Sequence, residues 1–261
     1  MKSECSVGIP LFLFVVALAT SCNGQIPTAK NGSGGLQELT AADTPLRQGE
    51  KIAFFGDSIT MQGGFIQLID KAIKESANTK DLKIKLFKHG LNGGRVPTVI
   101  EGKSPWGNLG GSMQSLLEKE TPTVIVIYLG INDVWHGEKG TSQADFKSGL
   151  KKMVAMCKEQ KATILLCTPT VIGEETKENK LNETLREYSE IIRQLAAAEK
   201  LLVCDLHTTF VEKLKKVNPE NKHKGNLTYD GVHMNPQGNA LLADQIAGEI
   251  YAACKTRNTK K

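Results

Sequence analysis

Lys51-Ile52-Ala53-Phe54-Phe55-Gly56-Asp57-Ser58-Ile59-Thr60 is the stretch that decides the fold. Residues 51–55 form an apolar run too short for a helix and long enough for a buried strand, and Gly-Asp-Ser ends it with turn-forming residues. Residues 65–76 then show apolar side chains at three-and-four spacing, the period of a helix with one buried face. The same alternation recurs. Strand-like runs stand at 83–87, 124–129, 163–167 and 201–204, and helical patterns occupy 145–159, with Phe146, Leu150, Met153, Val154 and Cys157 on one face, and 181–199. Asn235-Pro236 opens a last helix whose apolar face carries Ala240, Leu241, Ile246 and Ile250. Strands separated by crossover helices pair in parallel, and a parallel sheet needs both faces covered. The expected class is therefore α/β, a three-layer α/β/α sandwich around a flavodoxin-like parallel five-stranded sheet. Its functional residues belong at the C-terminal ends of the strands.

At 261 residues the chain suits one such domain, placed at 50–254. The formal charge of +5 comes from dispersed lysines, densest at the C-terminus and within 213–224, with no aromatic or arginine stripe beside them, so a solvated surface is expected and no nucleic-acid partner. Residues 255–261 read as a basic tail. An apolar run at 10–19, ending in small residues, marks 1–22 as an export signal too short to span a bilayer comfortably. Cleavage near Ser21 would release the chain, whereas cleavage before Cys22 would leave a cysteine for lipidation, the one membrane attachment expected. Residues 23–49, rich in Gly, Ser, Thr, Asn and Pro, read as a flexible linker. Cys157, Cys167, Cys204 and Cys254 form no ligand-spaced pair and are expected as small buried thiols.

Four segments carry chemistry, each just beyond a strand or near the last helix. Ser58 stands in the first turn, where it either caps a helix or presents its hydroxyl to a ligand. His89-Gly90-Leu91-Asn92-Gly93-Gly94-Arg95 offers glycines at which backbone N–H groups can approach a ligand. In Gly130-Ile131-Asn132-Asp133 the Asn132 amide is a neutral donor. In Asp230-Gly231-Val232-His233 a tight turn lets the carboxylate reach the imidazole. Together these supply a nucleophile, neutral oxyanion donors, and a base with the acid that orients it.

In order and spacing these blocks resemble those of the SGNH hydrolases, the GDSL lipase/esterase family, over nearly all of the chain from Lys51 to about Tyr251. Asp230 to His233 followed by Asn235-Pro236-x-Gly238 is the most specific element. The resemblance implies Ser58 as nucleophile and His233 as base, with Asp230 completing the triad. It also implies an oxyanion hole from the backbone N–H groups of Ser58 and Gly93 and the Asn132 side chain. Gly93 is preferred over Gly94 because it stands three residues after Gly90, as in the family's Gly-x-x-Gly element. Substrate contacts are assigned to Asp57, Arg95, Trp135 and His136; His89, His207 and His223 receive no chemical role. The implied mechanism needs no cofactor and no metal.

The stretches 97–111, 135–142 and 171–180 are short and hold no lid-sized apolar insertion. They suit small acyl groups on carbohydrate or other polar alcohols, so the partner expected is a small-molecule or carbohydrate ester. Lysophospholipase or thioesterase activity is the alternative of the same class. A catalytically silent envelope or carbohydrate-binding protein is the alternative of another class, and a metal-dependent phosphoesterase using Asp57, Asp133, Asp230 and His233 is a third.

Overall fold

The computed structural model describes residues 34–259. The expected export segment with Cys22, and the part of the expected linker before Gly34, lie outside the described residues.

Seven strands occur among the described residues: β1 (Lys51–Gly56), β2 (Lys85–Gly90), β3 (Lys103–Ser104), β4 (Gly107–Asn108), β5 (Val124–Tyr128), β6 (Thr163–Cys167) and β7 (Leu202–Cys204). β3 and β4 make a small antiparallel hairpin, while the other five form one parallel sheet in the order β2-β1-β5-β6-β7. Every residue of Val124–Tyr128 is buried, as a mid-sheet strand covered on both faces demands, and its β-branched residues fit that pleated interior. β2 is an edge strand and exposes Lys85 and Lys88, which discourage pairing with another chain. In register Gly56 faces Gly90 on one side and Tyr128 on the other, so β1, β2 and β5 end at one level and the loops beyond them converge.

The helices are α1 (Gly35–Leu39), α2 (Ser58–Gln62), α3 (Gly64–Glu75), α4 (Val96–Glu101), α5 (Met113–Glu120), α6 (Ile131–Trp135), α7 (Gln143–Glu159), α8 (Lys180–Glu199), α9 (Leu206–Val217) and α10 (Pro236–Thr259). α1, α3 and α10 pack together on one face of the sheet, and α4, α7 and α8 on the other. Phe65, Ile66, Ile69 and Ile73 of α3 and Phe146, Leu150, Met153, Val154 and Cys157 of α7 are buried, so the spacing seen in the sequence is the core-facing stripe of each helix. The four described cysteines are buried free thiols.

Beyond shifts of one or two residues at element ends, three features differ from the sequence-based expectation. β2 begins at Lys85 because Lys83 takes a left-handed conformation (φ 52°) that ends the preceding turn, so His89 and Gly90 close the strand instead of opening the loop. The expected linker is packed structure from Gly34 onward. Gly34 and Leu36 donate backbone N–H groups to Asp244 of α10, both at 3.2 Å, and Leu39 and Leu46 are buried; each buried leucine contributes roughly 2 kcal/mol, enough to order a stretch whose composition reads as a tether. The expected basic tail is helical through Thr259. Arg257 donates to both carboxylate oxygens of buried Glu50, at 2.9 and 2.8 Å, which ties the end of α10 to the start of β1.

Candidate active site

The Ser58 segment is built locally. Asp57, extended at the end of β1, folds its side chain back to accept the Ile59 N–H at 2.9 Å and so caps α2. Ser58 thereby becomes the first residue of α2, half-buried at the C-terminal edge of the sheet. Asp57 is only 1% exposed, which removes it from the substrate contacts to which the sequence assigned it; one carboxylate oxygen makes the cap and the other is buried without a hydrogen-bond partner among the described residues. Burial pushes the Asp57 carboxyl up to about 7, against the opposing pull of the Ile59 N–H and of His233.

His233 arrives from far along the chain. The loop between α9 and α10 is closed by an antiparallel bridge between Thr228 and Met234 and by Tyr229 N–H donating to the His233 carbonyl at 2.8 Å. At its tip Gly231 takes φ 98°, a conformation that favours glycine, and Asp230 accepts the N–H groups of Val232 and His233 at 3.0 and 2.8 Å. The other Asp230 oxygen lies 2.7 Å from His233 Nδ1. A proton on Nδ1 leaves Nε2 as acceptor, and Nε2 lies 2.9 Å from Ser58 Oγ across 175 residues of sequence. Burial pushes the Asp230 carboxyl up, but the hydrogen bonds from the His233 ring and from the two N–H groups outweigh it and hold the acid below its ordinary value. It therefore stays ionised beside the imidazole.

Sequence reasoning missed the residue that secures this loop. Glu174, fully buried between β6 and α8, accepts from Asn226 N–H and Nδ2 at 2.8 Å each, Leu227 N–H at 2.7 Å, Thr228 N–H at 2.6 Å and the Thr228 hydroxyl at 2.7 Å. Burial would raise its carboxyl, yet these donors hold it below the ordinary value. No sequence signal announces it, because its partners lie more than fifty residues downstream and most are backbone groups.

Two further loops follow the strands that flank β1. Gly93 (φ 62°) and Ser58 have backbone N–H groups that donate to no protein acceptor among the described residues, whereas the Gly94 N–H is used by the Leu91 carbonyl at 2.8 Å. Asn132 begins the first turn of α6, and its Nδ2 donates to the Gly94 carbonyl at 3.2 Å, which orients the amide and leaves its second hydrogen for a ligand. Asp133 is buried beside it and accepts the Val96 N–H at 3.1 Å, joining α6 to α4; burial pushes this carboxyl up to about 6.

The remaining assignments divide. Arg95 Nη1 donates to the Lys139 carbonyl at 2.8 Å, so this side chain braces the 137–139 turn. Trp135 is half-exposed at the end of α6, and His136 stacks on Trp106 with ring centroids 5.9 Å apart. Trp106, at the tip of the β3-β4 hairpin, was missed. The Ser-Pro-Trp-Gly stretch marks a turn but not what the indole touches. His207 is buried and pairs through Nδ1 with the Thr170 carbonyl at 2.7 Å, a structural role. It borders a groove of about 950 Å³ between α7, α8 and α9 that none of Ser58, Asp230 and His233 lines. Among the described residues no group of three or more acidic, histidine or cysteine side chains is arranged to hold a metal ion.

The sequence profile of the GDSL-like lipase/acylhydrolase family matches residues 54–241. The chain belongs to this family. Like other GDSL-family esterases it is a serine carboxylic ester hydrolase. It is similar to an acetylxylan esterase of Geobacillus stearothermophilus, 26% identical over 224 residues that cover 77% of this chain and 94% of that protein. Among solved structures, the acetyl xylan esterase AlAXEase is 32% identical with a TM-score of 0.65, covering 75% of this chain and 97% of its own. The alpha/beta hydrolase LAE5, from the metagenome of Lake Arreo in Spain, superposes with a TM-score of 0.66 at 20% identity, covering 81% and 97%, a likeness of fold.

Proposed function

We propose that this chain is an exported acetylesterase that removes acetyl groups from carbohydrate or other polar alcohols through an acyl-serine intermediate. The observation that carries it is the Ser58-His233-Asp230 relay, at 2.9 and 2.7 Å, beside two unengaged backbone N–H groups. Catalytic mutants of the Geobacillus acetylxylan esterase replace a serine, an aspartate and a histidine by alanine, the same three residue types. The small acyl group is supported by the relatives' substrate and by short loops without an apolar lid.

In this mechanism His233 Nε2 takes the Ser58 proton as Oγ attacks the ester carbonyl. The carbonyl oxygen gains charge, and Ser58 N–H, Gly93 N–H and Asn132 Nδ2 are the neutral donors that would stabilise it. The imidazolium then returns its proton to the departing alcohol, leaving acetyl-Ser58. Water, deprotonated by the same nitrogen, attacks the acyl carbon; the bond from that carbon to Ser58 Oγ breaks, the imidazolium returns its proton to Oγ, and acetate leaves. Asp230 fixes the Nδ1–H tautomer and stabilises the imidazolium without taking its proton.

A panel of p-nitrophenyl esters from acetate to palmitate beside acetylated xylooligosaccharides tests the reading, with Ser58→Ala as control. Turnover of acetate and acetylated sugars is expected. Preference for palmitate would replace it with the lysophospholipase or thioesterase alternative. For export, supported by the apolar run at 10–19, mass spectrometry of native material is expected to find no peptide preceding Ser21 or Cys22, and an intact N-terminus in the cytoplasm would refute it.

A further inference from the structure

Both tryptophans of the chain, and every exposed aromatic side chain among the described residues, stand beside the catalytic segments. Tyr229, 64% exposed, precedes Asp230; Trp135 ends the helix that carries Asn132; Trp106, 60% exposed, lies on Gly93. Isolated apolar residues at a surface need no explanation, but exposed rings that all adjoin the same few segments do.

Trp106 is also held in place. Ser104 Oγ donates to the Asn92 carbonyl at 2.6 Å and accepts the Trp106 N–H at 3.2 Å, which clamps the hairpin tip onto the loop containing Gly93. A Cβ placed on Gly93 would collide with Trp106 Cε3, so this position has to be glycine for the indole to lie where it does. His136 stacks on the indole at an interplanar angle of 13°. A ring that is braced from two sides and still mostly exposed has lost its conformational freedom before any ligand arrives, which lowers the entropic cost of contacting one.

We infer that Trp106, backed by His136, is the platform on which the sugar ring of the substrate's alcohol portion packs, a pyranose subsite next to the oxyanion hole. The inference rests on the acetyl-carbohydrate reading above. The indole lies against Gly93, the residue whose N–H is taken to receive the ester oxygen, so a group reaching past the ester toward the β3-β4 hairpin meets the ring; the acetyl group is a single methyl and the alcohol portion is the part large enough to cover it. A pyranose presents an apolar C–H face that covers an aromatic ring while its hydroxyls stay in water. Covering one indole face removes on the order of 60 Å² of apolar surface from water, worth about tenfold in binding.

The test compares kcat/KM for an acetylated xylopyranoside with kcat/KM for vinyl acetate, which has no ring. Trp106→Ala is expected to lower the ratio of the two about tenfold, mainly through KM for the sugar ester, and Trp106→Phe to restore most of it. An unchanged ratio in Trp106→Ala, including equal losses on both substrates or a change only in oligomeric state, overturns the subsite, since Trp106 would then serve only to pack Gly93 or to bind another copy. Should Trp106→Ala fail to fold, Trp106→Gln is measured in its place with the same expectation. If the wild-type enzyme hydrolyses vinyl acetate and no acetylated sugar, the carbohydrate reading itself fails and the subsite with it, an outcome separate from a wild type that deacetylates sugars and a Trp106→Ala that matches it.

Discussion

The segment that carries Ser58 and the loop that carries His233 meet at 2.9 Å, but they are held by different physics. Ser58 is placed by its neighbours: a buried strand, a one-residue extended link, and a helix cap made two residues away. His233 sits on a loop without a strand of the main sheet or a long helix of its own, positioned by a carboxylate that is far away in sequence and buried beneath it. The first arrangement is robust because each contact is short-range. The second concentrates five hydrogen bonds on one side chain, Glu174, and is correspondingly exposed to a single substitution.

The largest effect short of the triad is expected at the third side of the site. If the Asn132 amide donates to the oxyanion, the bond strengthens only as charge develops, so Asn132→Ala lowers kcat about 10²- to 10³-fold, roughly 3–4 kcal/mol, with little change in KM. Steady-state kinetics and melting temperature on one preparation decide it. Lower thermal stability with unchanged kcat would make Asn132 only a turn former.

Glu174→Gln addresses the contrast itself. The amide keeps an acceptor toward Leu227 and Thr228 but turns a donor toward the Asn226 donors, so the fold is expected to lose about 2 kcal/mol and kcat to fall about tenfold as the loop loosens. KM for a small acetate ester should hardly move. A lowered melting temperature with wild-type kcat in the folded fraction would show that the loop keeps its register without this anchor, and the contrast between the two segments would be broken.

The smallest effect belongs to the nucleophile side. Asp57 and Asp133, buried and raised to about 7 and about 6 from 3.8, hold protons in the folded protein that the unfolded chain releases. Their contribution to stability is complete below the unfolded value and declines as pH rises, Asp133 levelling off near 6 and Asp57 near 7. Asp57→Asn keeps the acceptor for Ile59 and removes one titration. The fall in melting temperature between about pH 5 and about pH 7.5 should therefore be shallower in the variant than in the wild type. Parallel profiles would mean that Asp57 ionises at its ordinary value.

What the sequence made legible follows the same division. The parallel sheet and the long helices were readable because strand and helix periodicity are local patterns, and motifs such as Asp-Gly-Val-His marked the Ser58 and His233 segments that the fold brings together. The five- and six-residue helices α2, α4 and α6 were invisible because so few residues cannot show a 3.6-residue period. Asp57 was misassigned to substrate because the sequence does not say whether a turn aspartate faces inward or outward. Glu174 and Trp106 were missed for a common reason. Their importance lies in what touches them, Leu227 and Thr228 for one and Gly93 and His136 for the other, and no local pattern records such contacts.

The central claim, covalent catalysis at Ser58, is tested most directly by mapping where the acyl group goes. Wild-type protein quenched during turnover of p-nitrophenyl acetate, digested and analysed by mass spectrometry, is expected to carry one acetyl group on the peptide containing Ser58, and Ser58→Ala to carry none and to lose about 10⁴-fold or more in kcat. Full esterase activity in Ser58→Ala, or an acetyl group found only on another residue, would contradict the account.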